Sequence, residues 1–231
     1  QAQQMKLVAL GRLTASIAHV IRNPLSSINH AAQLLGEETT RSTADTRLVS
    51  IIQDNAHRLD RLVEEVLYLN RRDRAQPESI VLSSFLGRFI DDFCTNEKRS
   101  REMLTLDVDP MLRASFDRTH LDQVMWNLVR NACRFAQRGP GAVCVRCLQR
   151  GELVHIEVED NGPGVKTDAV PHLFEPFFTT DAKGTGLGLY IARELAEVNG
   201  ATLEYVVDNA GGTRSTAAPR GACFRLTMKS A

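Results

Sequence analysis

Two long apolar seams constrain the N-terminal third of this chain more than any other feature. Leu7, Leu10, Leu13, Ile17, Ile21, Leu25, Ile28, Ala32 and Leu35 recur in steps of three and four. That spacing lays them on one face of a continuous helix over residues 1–36. The polar run GEETTRSTAD interrupts the pattern, and a second seam follows at Leu48, Ile51, Asn55, Leu59, Leu62, Val66 and Leu69. Two long helices with a short polar connection predict an antiparallel hairpin. One hairpin cannot cover both seams, whereas two hairpins paired into a four-helix bundle can. The expectation is therefore a homodimer. The helical pattern fails near Asn70, and the charged stretch RRDRAQPES carries a proline, so the domain boundary is placed at residues 76/77.

Residues 77–231 mix strand and helix patterns. A short strand is expected at 79–82, then a helix capped by Ser83 or Ser84 and running to about Glu97. MLTLDVD and LRASFD read as strands, and Asp117 opens a helix to about Gln137. Strands are expected at Val143–Leu148 and Leu153–Asp160, followed by a Gly/Pro-bearing loop over 161–185. A helix from Gly186 to Asn199 ends at Gly200, and two last strands lie near 202–207 and 222–228. This order predicts an α+β chain: a helical hairpin, then a mixed sheet with helices on one face.

Charge and cysteine usage exclude several classes. Lys plus Arg and Asp plus Glu each number 28, so the net charge is zero and no nucleic-acid or anionic-membrane partner is expected. No apolar run approaches the length of a membrane helix. The opening QAQQMKLVAL has neither an initiator Met nor a continuous apolar core. It is read as part of a longer protein whose sensor portion lies elsewhere, and this fragment is expected to be cytoplasmic. The odd number of cysteines, five, fits a reducing setting. Cys144 and Cys147 resemble a metal or redox pair, but AVCVRCL reads as a strand, where residues three apart face opposite ways.

On the first helix, His19 is two residues from both Ile17 and Ile21. This turns it about 160–200° from the seam, toward solvent. A neutral imidazole there is a competent nucleophile near neutral pH. Asn23 lies one turn on, and Pro24 removes a backbone hydrogen bond and predicts a bend. By itself an exposed histidine is more often an ordinary surface residue.

Four downstream features give it meaning. Asn127, Asn131 and Arg134 recur at i, i+4 and i+7 on one flank of the helix over 117–137. Two amide oxygens one turn apart can ligate Mg2+, and the arginine can pair with a phosphate. In LVHIEVED, Val154, Ile156, Val158 and Asp160 share one face. A carboxylate closing an apolar row needs a donor, such as an exocyclic amine of adenine. The turn Asn161-Gly162-Pro163-Gly164 follows it. FEPFFTT, residues 174–180, is an aromatic cluster inside a loop, readable as a lid anchor or a local apolar plug. Finally, Lys183-Gly184-Thr185-Gly186-Leu187-Gly188-Leu189 precedes a helix, where glycines and free N–H groups cradle phosphates. It lacks the GK[ST] ending of a P-loop and the βαβ context of a dinucleotide site.

Together these residues resemble the sensor histidine kinases of two-component systems. SIAHVIRNPLSSI is similar to the family's phosphoacceptor box, NLVRNACRF to its N box, DNGPG and GTGLGL to its glycine boxes, and FEPFF to its F box. NHAAQLLGE adds a likeness to the pilus-regulating and nitrogen-regulating kinases (the PilS and NtrB types). The resemblance implies a dimeric HisKA hairpin over residues 1–76 and a Bergerat-type (GHKL) α/β sandwich binding ATP, HATPase_c, over 77–231. It implies an ATP-dependent protein-histidine kinase in which His19 takes the γ-phosphoryl group and passes it to the receiver domain of a response regulator. For the pilus- and nitrogen-regulating types that regulator is a sigma-54-type activator, and the parent protein is anchored in the inner membrane. Carried over by residue, Asn131 is the chief Mg2+ ligand with Asn127 assisting, Arg134 meets phosphate, Phe135 packs by the base and Asp160 binds the adenine amine. Gly162 and Gly164 shape the base pocket. Lys183, Thr185, Leu187 and Leu189, with Gly184, Gly186 and Gly188 between them, form the phosphate segment under a closing lid.

One position departs from the family. Val20 stands where the family has the Glu implied to accept the imidazole proton. The expectation is weakened autophosphorylation with nucleotide binding intact, and a phosphatase role kept by Asn23. Two alternatives stand beside the kinase: an ATPase of the same fold, as in chaperones and topoisomerases, and a nucleotide-binding dimer that transfers nothing.

Overall fold

The computed structural model describes residues 21–35, 45, 47–56, 59, 75–181, 184–206 and 221–231. They fall into two compact units. One joins Gln1–Arg71 with Glu175–Leu187, and the other joins Arg72–Phe174 with Gly188–Ala231.

In the first unit, residues 21–35 are helical, as are 47–56. The stripe turned inward on the first helix is Ile21, Pro24, Ile28, Ala31 and Leu35. Two residues of the expected seam lie outside this stripe in the single chain, Leu25 at 43% exposure and Ala32, where only a second hairpin could cover them. The inward stripe alternates in threes and fours from Ile21, so Pro24 and Ala31 replace their neighbours. On the second helix Leu48, Ile51, Asn55 and Leu59 are half-buried, as their spacing predicts. Asn55 donates its amide to the Ile51 carbonyl at 2.7 Å, which keeps a polar residue tolerable on that stripe.

The second unit opens with β1 (Glu78–Val81), which runs straight into α1 (Leu82–Asn96). The expected serine cap is not used. The Leu82 N–H, first in the helix, donates instead to the Leu112 carbonyl at 3.0 Å. Ser83 Oγ donates to the Pro110 carbonyl and Ser84 Oγ to the Val81 carbonyl, so neither caps a helix N–H. A neighbouring loop has satisfied the helix start in place of a side chain.

Next come β2 (Leu104–Asp107), β3 (Arg113–Phe116), α2 (Arg118–Phe135), β4 (Val143–Arg150), β5 (Leu153–Asp160), α3 (Gly188–Val198), β6 (Thr202–Tyr205) and β7 (Cys223–Lys229). Asp117 caps α2 as expected, accepting from His120 N–H at 3.0 Å. α2 stops at Phe135 and α3 starts at Gly188, each two residues inside the expected bound.

Five strands form one sheet in the order β2-β4-β5-β7-β6, and β1 pairs with β3 separately. The β2–β4 pair is parallel and the rest are antiparallel. One face of the sheet is apolar: Val143, Val145 and Cys147 on β4, Val154, Ile156 and Val158 on β5, and Phe224, Leu226 and Met228 on β7 are all buried. α2 packs over β4 and β5, α3 over β6, and α1 against β2. Each fully buried aliphatic side chain contributes about 1.5–3 kcal/mol. At the edge of this layer Trp126 of α2 meets Phe89 and Phe93 of α1 at ring distances of 5.9 and 4.9 Å. Arg130 lies over the indole and pairs with Glu97.

The opposite face carries a row of alternating charge. Asp107, Arg146, Glu157, Arg225 and Glu204 are register partners in turn across β2, β4, β5, β7 and β6. Opposite charges placed across neighbouring strands support the pairing. Cys144 sits on this face, half-exposed, and Cys147 on the other, where burial pushes its thiol up to about 12. The strand reading of AVCVRCL is thus what the register displays.

Candidate functional site

The end of β5 gathers the best-built polar cluster in the second unit. Val154, Ile156 and Val158 are buried on the inner face, and Asp160 continues their row with 4% of its surface exposed. Its Oδ1 accepts from Gly162 N–H at 2.8 Å and from Ala222 N–H at 3.2 Å. Burial pushes the Asp160 carboxyl above its usual range, and these two N–H groups offset only part of the rise. No cation is bonded to it among the described residues.

Close backbone approach makes this arrangement possible. A Cβ on Gly162 would strike the Phe135 carbonyl, the last residue of α2. The first glycine of the turn therefore lets β5 meet the end of α2. Asn161 adds a tie there, accepting from Gln137 N–H at 2.8 Å. Gly164 has φ +73°, a left-handed conformation that suits glycine. Phe135 itself is 37% exposed, leaving its ring partly uncovered at this corner.

Gly221 was not singled out from sequence, yet it is as tightly placed as Gly162. Its N–H donates to the Asp160 carbonyl at 3.0 Å, and a Cβ there would collide with the Asp160 carboxylate and carbonyl. Any larger residue would displace the carboxylate. The only sequence signal was a glycine just before the last strand, and its partner lies far away in the chain.

On α2, Asn127 and Asn131 are half-buried and Arg134 is exposed, on one flank as their spacing predicts. Asn127 sits against Gly188, where an added Cβ would come within 3.4 Å of its Oδ1. Its Nδ2 is buried with no hydrogen-bond partner. An orphaned amide donor beside the first residue of α3 fits an anionic ligand oxygen, since that helix end already favours negative charge. The described residues contain no cluster of three His, Cys, Asp or Glu able to hold a metal. Amide oxygens and phosphate oxygens are the donor set that remains for Mg2+, a combination that hard cation accepts.

The segment Glu175–Leu187 belongs to the other unit and is described by itself. Phe177 N–H donates to the Gly186 carbonyl at 2.9 Å, pinning the two ends of the loop. Phe177 has φ +67° and Gly186 φ +74°, and a Cβ on Gly186 would collide with the Phe177 backbone. Gly186 is thus required by the aromatic segment. Leu187 N–H reaches Thr185 Oγ1 at 3.4 Å, and Gly184 and Leu187 are buried. Gly188 and Leu189 form the first turn of α3, both half-buried. Phe174 anchors the near end of the loop in the second unit, edge-on to Phe224 at 6.2 Å with Arg193 over its ring. Asn23 is exposed on its helix. His19, Val20 and Lys183 lie outside the described residues.

Similarity to known proteins agrees with this geometry. Residues 116–231 match the family described as histidine kinase-, DNA gyrase B-, and HSP90-like ATPase. Residues 9–75 match the His Kinase A (phospho-acceptor) domain. The chain is 44% identical over 233 residues to the sensor protein kinase PilS of Pseudomonas aeruginosa, covering 99% of this chain and 42% of that protein. It is 34% identical over 215 residues to the sensor histidine kinase ZraS of Escherichia coli, covering 91% and 45%. The chain thus spans less than half the length of these curated relatives. Among solved structures, histidine kinase ThkA, crystallised with the response regulator protein TrrA, matches with a TM-score of 0.76 at 22% identity over 99% of this chain and 64% of that one. The Acinetobacter baumannii histidine kinase AdeS matches with a TM-score of 0.64 at 20% identity, covering 91% and 97%. No helix among the described residues is long and apolar enough to cross a membrane. With a match to a phospho-acceptor domain followed by a match to the histidine kinase-type ATPase domain, and 44% identity to a sensor kinase over nearly its whole length, the chain belongs to the sensor histidine kinases.

Proposed function

We propose that this chain is the catalytic core of a two-component sensor kinase that uses ATP to phosphorylate its own His19. Residues 1–76 serve as the dimerising phosphoacceptor hairpin and 77–231 as the ATP-binding domain. The observation that carries the reading is Asp160: a buried carboxylate, met only by backbone N–H groups, at the end of an apolar row. Such a group gains from a ligand donor, and the adenine amine supplies one. Phe135 and the turn glycines border the base. Asn127 offers its orphaned donor to phosphate oxygens and Arg134 pairs with phosphate, and the family resemblance assigns Lys183, Thr185 and the glycines 184, 186 and 188 to phosphate as well. Asn131, with Asn127, holds Mg2+, which neutralises charge on the triphosphate.

In this reading the neutral His19 imidazole attacks the γ-phosphorus in line, the bond to the β-phosphate oxygen breaks, and ADP leaves. The proton on the other ring nitrogen passes to solvent water, because Val20 cannot accept it. The acceptor of the phosphoryl group is then an aspartate in a receiver domain. We further propose, on the family resemblance of the phosphoacceptor box, an activator of the sigma-54 type as partner, a homodimer as the working form and an inner-membrane parent protein.

Incubation with Mg-ATP labelled at the γ-position should give an acid-labile phosphohistidine, lost in His19→Gln. Val20→Glu should speed labelling by about 100-fold, the usual worth of general-base help. Phosphate release without labelled protein would instead assign an ATPase. Nucleotide binding with neither would assign a scaffold dimer, the second reading that Val20 keeps open.

A further inference from the structure

The second unit contains a hydrogen-bonded ring that the reaction chemistry does not use. Asp117 lies at its centre. One carboxylate oxygen caps α2 through His120 N–H at 3.0 Å. The other accepts from Gln76 N–H at 2.9 Å, where the chain enters the domain. Asp117 N–H donates to Asn199 Oδ1 at 2.9 Å, just past the end of α3. Asn199 Nδ2 reaches back to His120 Nδ1 at 3.0 Å and to the Leu195 carbonyl at 2.7 Å. An amide nitrogen can only donate, so the ring nitrogen accepts.

A second set of ties runs beside the first. Arg118, next after Asp117, pairs with Glu78 at 2.5 Å, and Glu78 opens β1 in register with Phe116. The entering chain is thus fastened to the start of α2 by a carboxylate, an ion pair and a strand ladder. Capping α2 needs one oxygen of Asp117 only. Gln76 is exposed, so water would satisfy its N–H if the carboxylate did not. The Gln76 bond is therefore not demanded by burial, and it joins one point of the linker to two helices at once. α2 carries Asn127, Asn131 and Arg134, and α3 begins at Gly188, directly after the glycine segment.

We propose that Asp117 and Asn199 are positioning residues: a latch that fixes the linker at Gln76 to the two helices bordering the nucleotide site, and so sets phosphoryl transfer without touching ATP. The proposal rests on the autokinase reading above. Asp117→Asn isolates it, because asparagine is an equally good cap through its oxygen, while its NH2 would face the Gln76 N–H donor to donor. Gln76→Pro removes the same bond from the other side.

The test uses the full chain. A fluorescent ATP analogue gives nucleotide affinity, single-turnover labelling gives the phosphohistidine rate, and hydrogen exchange reads the Gln76 amide. Asp117→Asn should leave affinity within about twofold and slow labelling about tenfold, the worth of one charge-assisted hydrogen bond. The Gln76 amide should lose protection. Joining both substitutions should slow labelling no further than either alone. Unchanged labelling in Asp117→Asn, with wild type active, would overturn the latch. Parallel loss of affinity, rate and melting temperature would also overturn it, by showing a merely structural cap. An unlabelled wild type with a protected Gln76 amide would instead overturn the kinase reading and take the proposal with it.

Discussion

Glu157 and Asp160 lie on the same strand, on opposite faces of the sheet, and both are buried, at 1% and 4% exposure. Their surroundings differ in kind. Glu157 meets a cation: Arg225 Nη2 at 2.7 Å and Nε at 3.0 Å, within a row of alternating charge. Asp160 meets two backbone N–H groups and an apolar row. Burying a charge costs free energy on both faces. On the outer face a partner in the fold offsets that cost, and on the inner face it is left partly uncompensated. Burial alone therefore does not tell how a carboxylate is compensated; the identity of its partner does.

The largest expected effect comes from breaking the outer pair. Glu157→Ala leaves Arg225, among the described residues, with Glu204 at 3.4 Å as its carboxylate partner, and should lower unfolding free energy by about 3 kcal/mol. Urea denaturation measures this, and a loss below about 1 kcal/mol would erase the contrast. Nucleotide affinity of the folded variant should not change. Asp160→Asn should do the reverse. Affinity for ATP, read by calorimetry, should weaken by about 2 kcal/mol while stability holds or rises. A variant that unfolds as readily as Glu157→Ala would show that both carboxylates are structural.

Gly221→Ala sharpens the point with a smaller step. Its Cβ must push the Asp160 carboxylate aside, at a cost of about 1–2 kcal/mol shared between stability and nucleotide affinity. Full affinity in that variant would mean the carboxylate position is not decisive. The smallest effect is on pH dependence. The folded-state pKa of Asp160 is raised, so its favourable contribution is complete below the unfolded value of about 4 and is lost as pH rises through the folded value. Stability of wild type relative to Asp160→Asn should therefore decline between acid and neutral pH. A difference that stays flat would remove the claim that Asp160 is ionised at a cost.

Local pattern was legible in the sequence, and distant pairing was not. Alternation along LVHIEVED placed Asp160 on the buried face because strand side chains have a period of two. The same alternation put Glu157 outward, and nothing local marked it as buried, since its partner Arg225 is 68 positions away. Gly221 escaped notice for the same reason. On the first helix apolar character alone ranks Leu25 above Pro24, while packing within the single chain buries Pro24. Ser83 and Ser84 looked like caps, but a strand entering the helix directly found its acceptor on the Leu112 carbonyl, which no local motif encodes. Residue types at the nucleotide site were readable; the orphaned donor of Asn127 required the neighbouring helix to be in place.

The register of β7 also carries a consequence for synthesis of the chain. The β4–β5 hairpin closes through Gly151 and Glu152 alone and can form as soon as it leaves the ribosome. Asp160, however, receives its second donor from Ala222, and its carbonyl is met by Gly221. Ala222 lies 62 positions beyond Asp160, so those groups arrive well after the hairpin. A nascent chain stalled before Gly221 has the hairpin but not the floor beneath its carboxylate. The surroundings of the Asp160 carboxylate are thus completed only when β7 docks, long after the hairpin itself can close.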